Sequence, residues 1–250
     1  MSRVGILDVF PGHFDQNGDS GNVLALRRRL EWSGFDVDVV RVDPGDAWPA
    51  ETPDFVLVGG GSVPAQRDAL ASLVAQRARL ADWVAAGSAY LSVAGGYALS
   101  ATELVLPGDA VSQAGLGVFA GRVGALERLA SGPAVIRSPR HGVLHGFVNL
   151  AQRVTLDEPA QALGIVVSGP WDDCAGQPEG AAVGTAFGTH AHGPILPKNP
   201  VLADAFIRAG LTRRGLADAY RHDARHEHVD ALARRARAAL AQRLSQPPPD

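Results

Sequence analysis

Four short segments of this 250-residue chain combine polar side chains with glycine in patterns that could do chemistry. Asn17-Gly18-Asp19-Ser20-Gly21-Asn22 opens a helical pattern. Its Asn, Asp and Ser side chains can cap backbone N–H groups, or Asp19 can face a site and orient a partner side chain. Gly59-Gly60-Gly61-Ser62 follows a strand-like run, and three successive residues without a Cβ let the backbone approach a ligand and aim N–H groups at developing negative charge. It is not a phosphate loop, because the Gly-x-x-x-x-Gly-Lys-Ser/Thr spacing is missing and the sole lysine is Lys198. Leu91-Ser92-Val93-Ala94-Gly95-Gly96-Tyr97 reads as a strand, a tight turn and a helix start, an elbow that lifts the turn residue above the sheet edge beside a helix N-terminus. That geometry suits a nucleophile, yet the turn residue is Ala94, which has no atom to attack with. The segment from Gly188 to Pro200 carries His190 and His192, two imidazoles at a strand end that read as a base, as a metal pair or as structural side chains.

Other reactive residue types are sparse. The single cysteine, Cys174, excludes an internal disulfide and any multi-thiolate metal site, and its turn-rich setting, Trp171-Asp172-Asp173-Cys174, reads as surface with an exposed or idle thiol. Ser92 falls inside a strand, facing a packed layer. His222, His226 and His228 form a cluster near the C-terminus; on a helix His222 and His226 would share a face, with Asp223, Glu227 and Asp230 as the nearby acids, but a solvated helix face has the same look. The run Arg234-Arg235-Ala236-Arg237 reads as a solvated face or a contact with a partner subunit.

The elements that must position these segments alternate. Apolar runs of strand length at 4–10, 37–42, 55–58 and 90–93 are separated by amphipathic helical patterns at 22–33 and 63–86, stopped by Gly34 and Gly87. The order β-α-β-β-α-β predicts an α/β fold with a mostly parallel central sheet flanked by helices on both faces. All four segments then fall at the carboxyl edge of the sheet, where such folds hold ligands. Short β-rich runs at 117–120, 134–136, 143–149, 164–167 and 182–188 are expected to extend the same sheet, since no linker interrupts them. Helical sequence runs from Pro200 to Leu244, punctuated near Gly210 and Gly215. The reading is one domain over 1–245 and a frayed tail at 246–250.

Composition agrees. With 46% hydrophobic residues the chain can bury a sizeable core, and a net charge of -3 with scattered basic residues gives no footprint for nucleic acid. No apolar run approaches the roughly 20 residues of a membrane span and the N-terminus has no cleavable signal, so a soluble cytoplasmic protein is expected.

Taken in this order, the segments resemble the GatD family of class I glutamine amidotransferases, of the cobyric-acid-synthase-like type. The similarity runs from about Val4 to the C-terminal helices. Its most specific part is His192-Gly193-Pro194-Ile195-Leu196-Pro197-Lys198-Asn199, followed by Gly18-Asp19-Ser20-Gly21-Asn22 with its Leu- and Arg-rich helix, and by Gly59-Gly60-Gly61-Ser62 and Gly95-Gly96-Tyr97. The resemblance implies a flavodoxin-like core and a cysteine at the elbow that attacks the carboxamide of glutamine. By position it implies His192 as the base, Asp19 as the orienting carboxylate, Gly60, Gly61 and Gly95 around the oxyanion and substrate, and Arg128 near the glutamine entrance. It implies no cofactor on this chain. The partner it implies is a Mur-ligase-like subunit, MurT, which would bind ATP and amidate the D-glutamate of lipid II with the ammonia released.

The chain departs from that pattern twice. Ala94-Gly95-Gly96-Tyr97 stands where the family has Cys-Gly-Gly-Tyr, and Gly146-Phe147-Val148-Asn149-Leu150 stands where it is closer to Gly-Phe-Glu-Asn-His. A lone cysteine-to-alanine exchange explains only the first, so the two together point to a natural loss of hydrolysis. Binding of glutamine could survive it. Two other readings follow, a degenerate domain that scaffolds or regulates the ligase, and a metal-dependent small-molecule site at His190 and His192.

Overall fold

The computed structural model describes residues 2–244. The expected tail at 246–250 lies outside the described residues. The elements run β1 (Arg3–Val9), α1 (Ser20–Trp32), β2 (Asp36–Val42), β3 (Phe55–Val58), α2 (Val63–Ala75), α3 (Arg77–Ala85), β4 (Ala89–Val93), α4 (Gly95–Leu99), β5 (Ala101–Leu104) and β6 (Gln113–Ala114). They continue with β7 (Phe119–Ser138), β8 (Gly142–Leu156), β9 (Gly164–Ser168), β10 (Pro178–Glu179), β11 (Ala181–Val183), β12 (Ala186–Thr189), α5 (Ile195–Lys198), α6 (Pro200–Thr212) and α7 (Ala224–Arg243).

The first sheet has the order β11-β12-β4-β3-β1-β2. All its pairs are parallel except β11 with β12, so β1, β3, β4 and β12 end at one edge. Read from β2, the order 2-1-3-4 followed by one later strand is that of a flavodoxin-like sheet, with β1 and β3 at the switch point. Successive side chains of a strand point to opposite faces, and both faces are covered. Val4, Ile6, Phe55, Leu57 and Leu91 pack against Val23, Leu26 and Leu30 of α1 and Phe206 and Ile207 of α6. Leu7, Val9, Val56, Val58 and Tyr90 pack against Leu70 and Leu73 of α2 and Leu80 and Trp83 of α3. Gly34 and Gly87 close α1 and α3 at φ 86° and 94°, where glycine carries no Cβ penalty.

Three expectations need correction. The β-rich middle of the chain does not extend the parallel sheet. It forms a second sheet of order β10-β9-β7-β5-β6, with β8 paired to β7, and only the last run returns as β11 and β12. The place beside β4 is filled by β12, so the intervening chain has no free edge there. The run at 117–120 leads into, and those at 134–136 and 143–149 lie within, two long antiparallel strands, of 20 and 15 residues, in register from Gly121↔Leu156 to Ser138↔Gly142 with an irregularity between Ala125 and Ala130. The helix expected over 63–86 breaks at Gln76 (φ −98°, ψ 3°), which sends Leu80 and Trp83 into the same core as Leu70 and Leu73. Gly210 is no stop signal either. It lies inside α6, where a Cβ would meet a Phe55 ring carbon at 2.3 Å.

Candidate active site

The four chemical segments meet at the carboxyl edge of the first sheet. At the elbow between β4 and α4, Ala94 has φ 47° and ψ −106°. A residue with a Cβ is held in that region only when its surroundings over-determine it. Here the Ala94 N–H donates to the Thr189 carbonyl at 2.7 Å, its carbonyl accepts from the Ala98 N–H, and the Gly96 N–H donates to the Gly59 carbonyl at 3.1 Å. The elbow is thus pinned to the ends of β12 and β3. The glycine loop cannot carry side chains, because a Cβ on Gly59 would meet the Phe14 carbonyl oxygen at 2.0 Å and one on Gly96 the Gly59 carbonyl oxygen at 2.5 Å.

Gly60 marks the centre. A Cβ placed there would lie 2.7 Å from Asp19 Oδ2, 3.1 Å from His192 Nδ1 and 3.3 Å from the Ala94 methyl. Ala94, His192 and Asp19 therefore converge on the Gly60 backbone, which leaves no room for a side chain there. His192 Nδ1 is 3.3 Å from Asp19 Oδ2, with both side chains buried. Asp19 occupies the N-cap position of α1 but makes no side-chain cap; Oδ2 accepts from the Gly60 N–H at 2.8 Å instead. The Asp19 carboxylate thus faces His192 and the Gly60 N–H and does not cap α1. The Asn17 amide approaches both His192 ring nitrogens, at 3.3 and 3.4 Å, from a backbone with φ 67°.

The bond to Asp19 changes the expected oxyanion donors. The Gly60 N–H is committed to the carboxylate. The Gly61 and Gly95 N–H groups make no hydrogen bond among the described residues, and both residues line a cavity of about 280 Å³. Its wall also includes Gln16, Asn17, Gln66, Ala94, Asn149 and His192, residues that mostly carry amides. Two backbone donors beside an electrophile-sized space form the arrangement that stabilises a carbonyl oxygen as it gains charge.

Strand β8 of the second sheet reaches this cavity. The Phe147 N–H donates to the His192 carbonyl at 2.9 Å and the His192 N–H to the Phe147 carbonyl at 2.8 Å. Gly146 is required there, since a Cβ would meet the Ala191 methyl at 2.6 Å. Of the two positions that depart from the family pattern, Val148 is buried in the core and Leu150 lines the cavity.

Two expected residues, Arg128 and His190, do not join the site. Arg128 is 83% exposed and pairs with Asp172 at 2.7 Å; its neighbour Leu129 lines the cavity while the guanidinium turns away. His190 cannot pair with His192 on a metal. Its Nε2 accepts from the Val154 N–H at 3.0 Å, which leaves the proton on Nδ1, 3.2 Å from Glu179 Oε1, so neither nitrogen has a free lone pair. Cys174 is buried, not exposed, with its Sγ 3.5 Å from the Gly169 carbonyl. Ser92 is fully buried in β4, as expected.

His222 precedes α7, whose N-cap is Asp223, so it shares no helix face with His226. His226 instead closes a capping box with Asp223 and approaches the Arg29 carbonyl at 3.0 Å. Among the described residues, Asp204, His222 and Asp230 bring potential ligand atoms within 4.8 Å of one another. The Arg29 guanidinium already holds that position, 2.8 Å from Asp204 and 2.7 Å from Asp230.

Sequence reading missed Gln66 and Gln152 altogether. Nothing in their spacing marks them, because the two come together only where α2 meets β8.

Comparison with known proteins matches residues 12–200 to the model of the CobB/CobQ-like glutamine amidotransferase domain. The chain is 29% identical over 216 residues to the GatD subunit of the glutamine-hydrolysing lipid II isoglutaminyl synthase of Staphylococcus aureus (strain N315), covering 86% of this chain and 88% of that one. It is 25% identical to the corresponding subunit of Streptococcus pneumoniae (strain ATCC BAA-255 / R6), over 85% and 82%. Among solved structures, it superposes on a glutamine amidotransferase with TM-score 0.55 at 20% identity, covering 82% of this chain and 98% of that one. Another, from Thermotoga maritima, gives 0.51 at 13% identity, covering 92% and 94%. These two likenesses establish the fold.

Proposed function

Because the chain belongs to the CobB/CobQ-like glutamine amidotransferase family, we propose that it is the GatD-type subunit of a lipid II isoglutaminyl synthase whose site binds glutamine without hydrolysing it. The observation that carries this reading is the elbow. It keeps its strained backbone, its glycine loop and its His192–Asp19 pair, and holds a methyl group where covalent catalysis needs a sulfur.

The chemistry can be followed to the point where it stops. Glutamine entering the cavity places its carboxamide oxygen toward the Gly61 and Gly95 N–H groups and its carbonyl carbon over Ala94. A cysteine at 94 would lose its proton to His192, which Asp19 orients, and attack that carbon; His192 would then protonate the departing ammonia. Ala94 forms no such bond, so the carboxamide stays intact. A Mur-ligase-like partner, MurT, would then bind ATP, activate the D-glutamate of lipid II and use free ammonia, with this chain as its scaffold or regulator.

A steady-state glutaminase assay, on the chain alone and with its candidate ligase, tests the reading. Release of glutamate at background level is expected; robust turnover would remove Ala94 from the nucleophile position. Ala94→Cys should raise glutaminase activity by several orders of magnitude, since loss of a nucleophile costs about that much. The restored activity should remain incomplete because Leu150 lines the cavity. No gain at all from Ala94→Cys would mean that the elbow is not a catalytic scaffold.

A further inference from the structure

Two carboxamides stand in series at the wall of the cavity. Gln66 Nε2 donates to the Gly61 carbonyl oxygen at 2.9 Å, and Gln152 Nε2 donates to Gln66 Oε1 at 2.5 Å. The direction of this relay is fixed from one end. A backbone carbonyl can only accept, so Gln66 must turn its NH2 to Gly61 and its oxygen to Gln152. Gln152 must then present its NH2 to Gln66, and its own oxygen is the free end. That Oε1 is buried without a hydrogen-bond partner among the described residues, on a side chain only 5% exposed that lines the cavity with Ala94, Gly95 and His192.

A buried acceptor left unpaired is costly, and a ligand that brings an N–H to it recovers that cost. We propose that Gln152 is a specificity-determining residue whose carboxamide oxygen accepts an N–H from a nitrogen of bound glutamine. The inference rests on the reading that the cavity takes glutamine. Glutamine offers two such nitrogens, the side-chain carboxamide and the α-ammonium. An analogue with an oxygen or a hydrogen at the relevant position leaves Oε1 unpaired, and a carboxylate would set a second acceptor against it.

Calorimetric titration of the full chain, alone or with its ligase, with glutamine, glutamate and 4-carbamoylbutanoate separates the two nitrogens. Glutamate lacks the carboxamide N–H, and 4-carbamoylbutanoate lacks the α-ammonium. Glutamine should bind about ten- to a hundredfold more tightly than the analogue that lacks the recognised nitrogen. In Gln152→Met glutamine should weaken to the level of that analogue, while the analogue itself stays unchanged. Undiminished glutamine affinity in Gln152→Met would overturn the inference, and so would equal affinities of the native chain for all three ligands, a comparison that needs no variant to fold. Failure of the native chain to bind glutamine would overturn the underlying reading as well, and that outcome is distinguishable because it appears before any substitution.

Discussion

At the scale of single residues, the site separates what holds a reaction from what performs it. Asp19, His192 and the Gly61 and Gly95 N–H groups are fixed by hydrogen bonds and close backbone packing that do not depend on the side chain at 94. A change of side chain at 94 therefore leaves the surrounding geometry with the same supports. Another buried residue near this region has a consequence for stability. His145 is fully buried, and both ring nitrogens lack partners among the described residues. Burial, with the Arg237 and Lys198 charges adding to it, pushes its imidazole down to about 4. In the unfolded chain the ring titrates near the usual value of about 6.5, so between about 6.5 and 4 the unfolded state takes up a proton that the folded state refuses. The native state is unpenalised above that range and loses stability as pH falls through it, by up to about 3 kcal/mol. Urea unfolding from pH 7 to pH 5 should show a steeper loss for the native chain than for His145→Leu. The Asn199 side chain bonds the His145 backbone and the Ile195 carbonyl and not the imidazole, so the replacement leaves that clamp in place. Equal slopes would refute the assignment.

At the scale of elements, the site is set by how closely neighbours approach. The elbow lies against the glycine loop because Gly59, Gly95 and Gly96 leave room for carbonyl groups where a Cβ would stand. The same logic operates away from the site, where Gly210 lets α6 press against Phe55 of β3. Filling that contact with a methyl group should cost about 1–3 kcal/mol, as overpacking of a close-packed core does. Gly210→Ala gains something in helix propensity but should still lower the midpoint of urea unfolding. An unchanged or raised midpoint would show that α6 and β3 can separate freely. Sequence patterning identified both elements, since their periodicities are local. It took Gly210 for a boundary because glycine at a helix end and glycine at a helix contact look alike in a string of letters.

At the scale of the whole molecule, distant parts of the chain are joined by one buried cation. Arg29 of α1 donates to Asp204 of α6, to Asp230 of α7 and to the Tyr220 hydroxyl between them, and Tyr220 donates in turn to Asp204. Removing the guanidinium would leave two carboxylates facing each other with little water. Arg29→Leu should therefore lose about 3–5 kcal/mol of unfolding free energy, the range for breaking a buried pair from one side. Denaturant unfolding measures it, and a loss under about 1 kcal/mol, typical of exposed pairs, would show that water already screens the cluster. Among the described residues no helix is long and apolar enough to cross a membrane.

The sequence by itself determined the first four strands of the parallel sheet, the identity of the four edge segments and the alanine at 94. Each of these follows from local pattern or from residue type alone. Only the tertiary structure decided that the middle of the chain builds a second sheet, that Asp19 takes the Gly60 N–H as well as His192, that His190 is fully engaged, and that Gln66 and Gln152 form a polarised pair. Those outcomes depend on which strand claims an open edge and which donor reaches an acceptor first. Such contests are settled between residues tens to hundreds of positions apart, beyond the reach of any local periodicity.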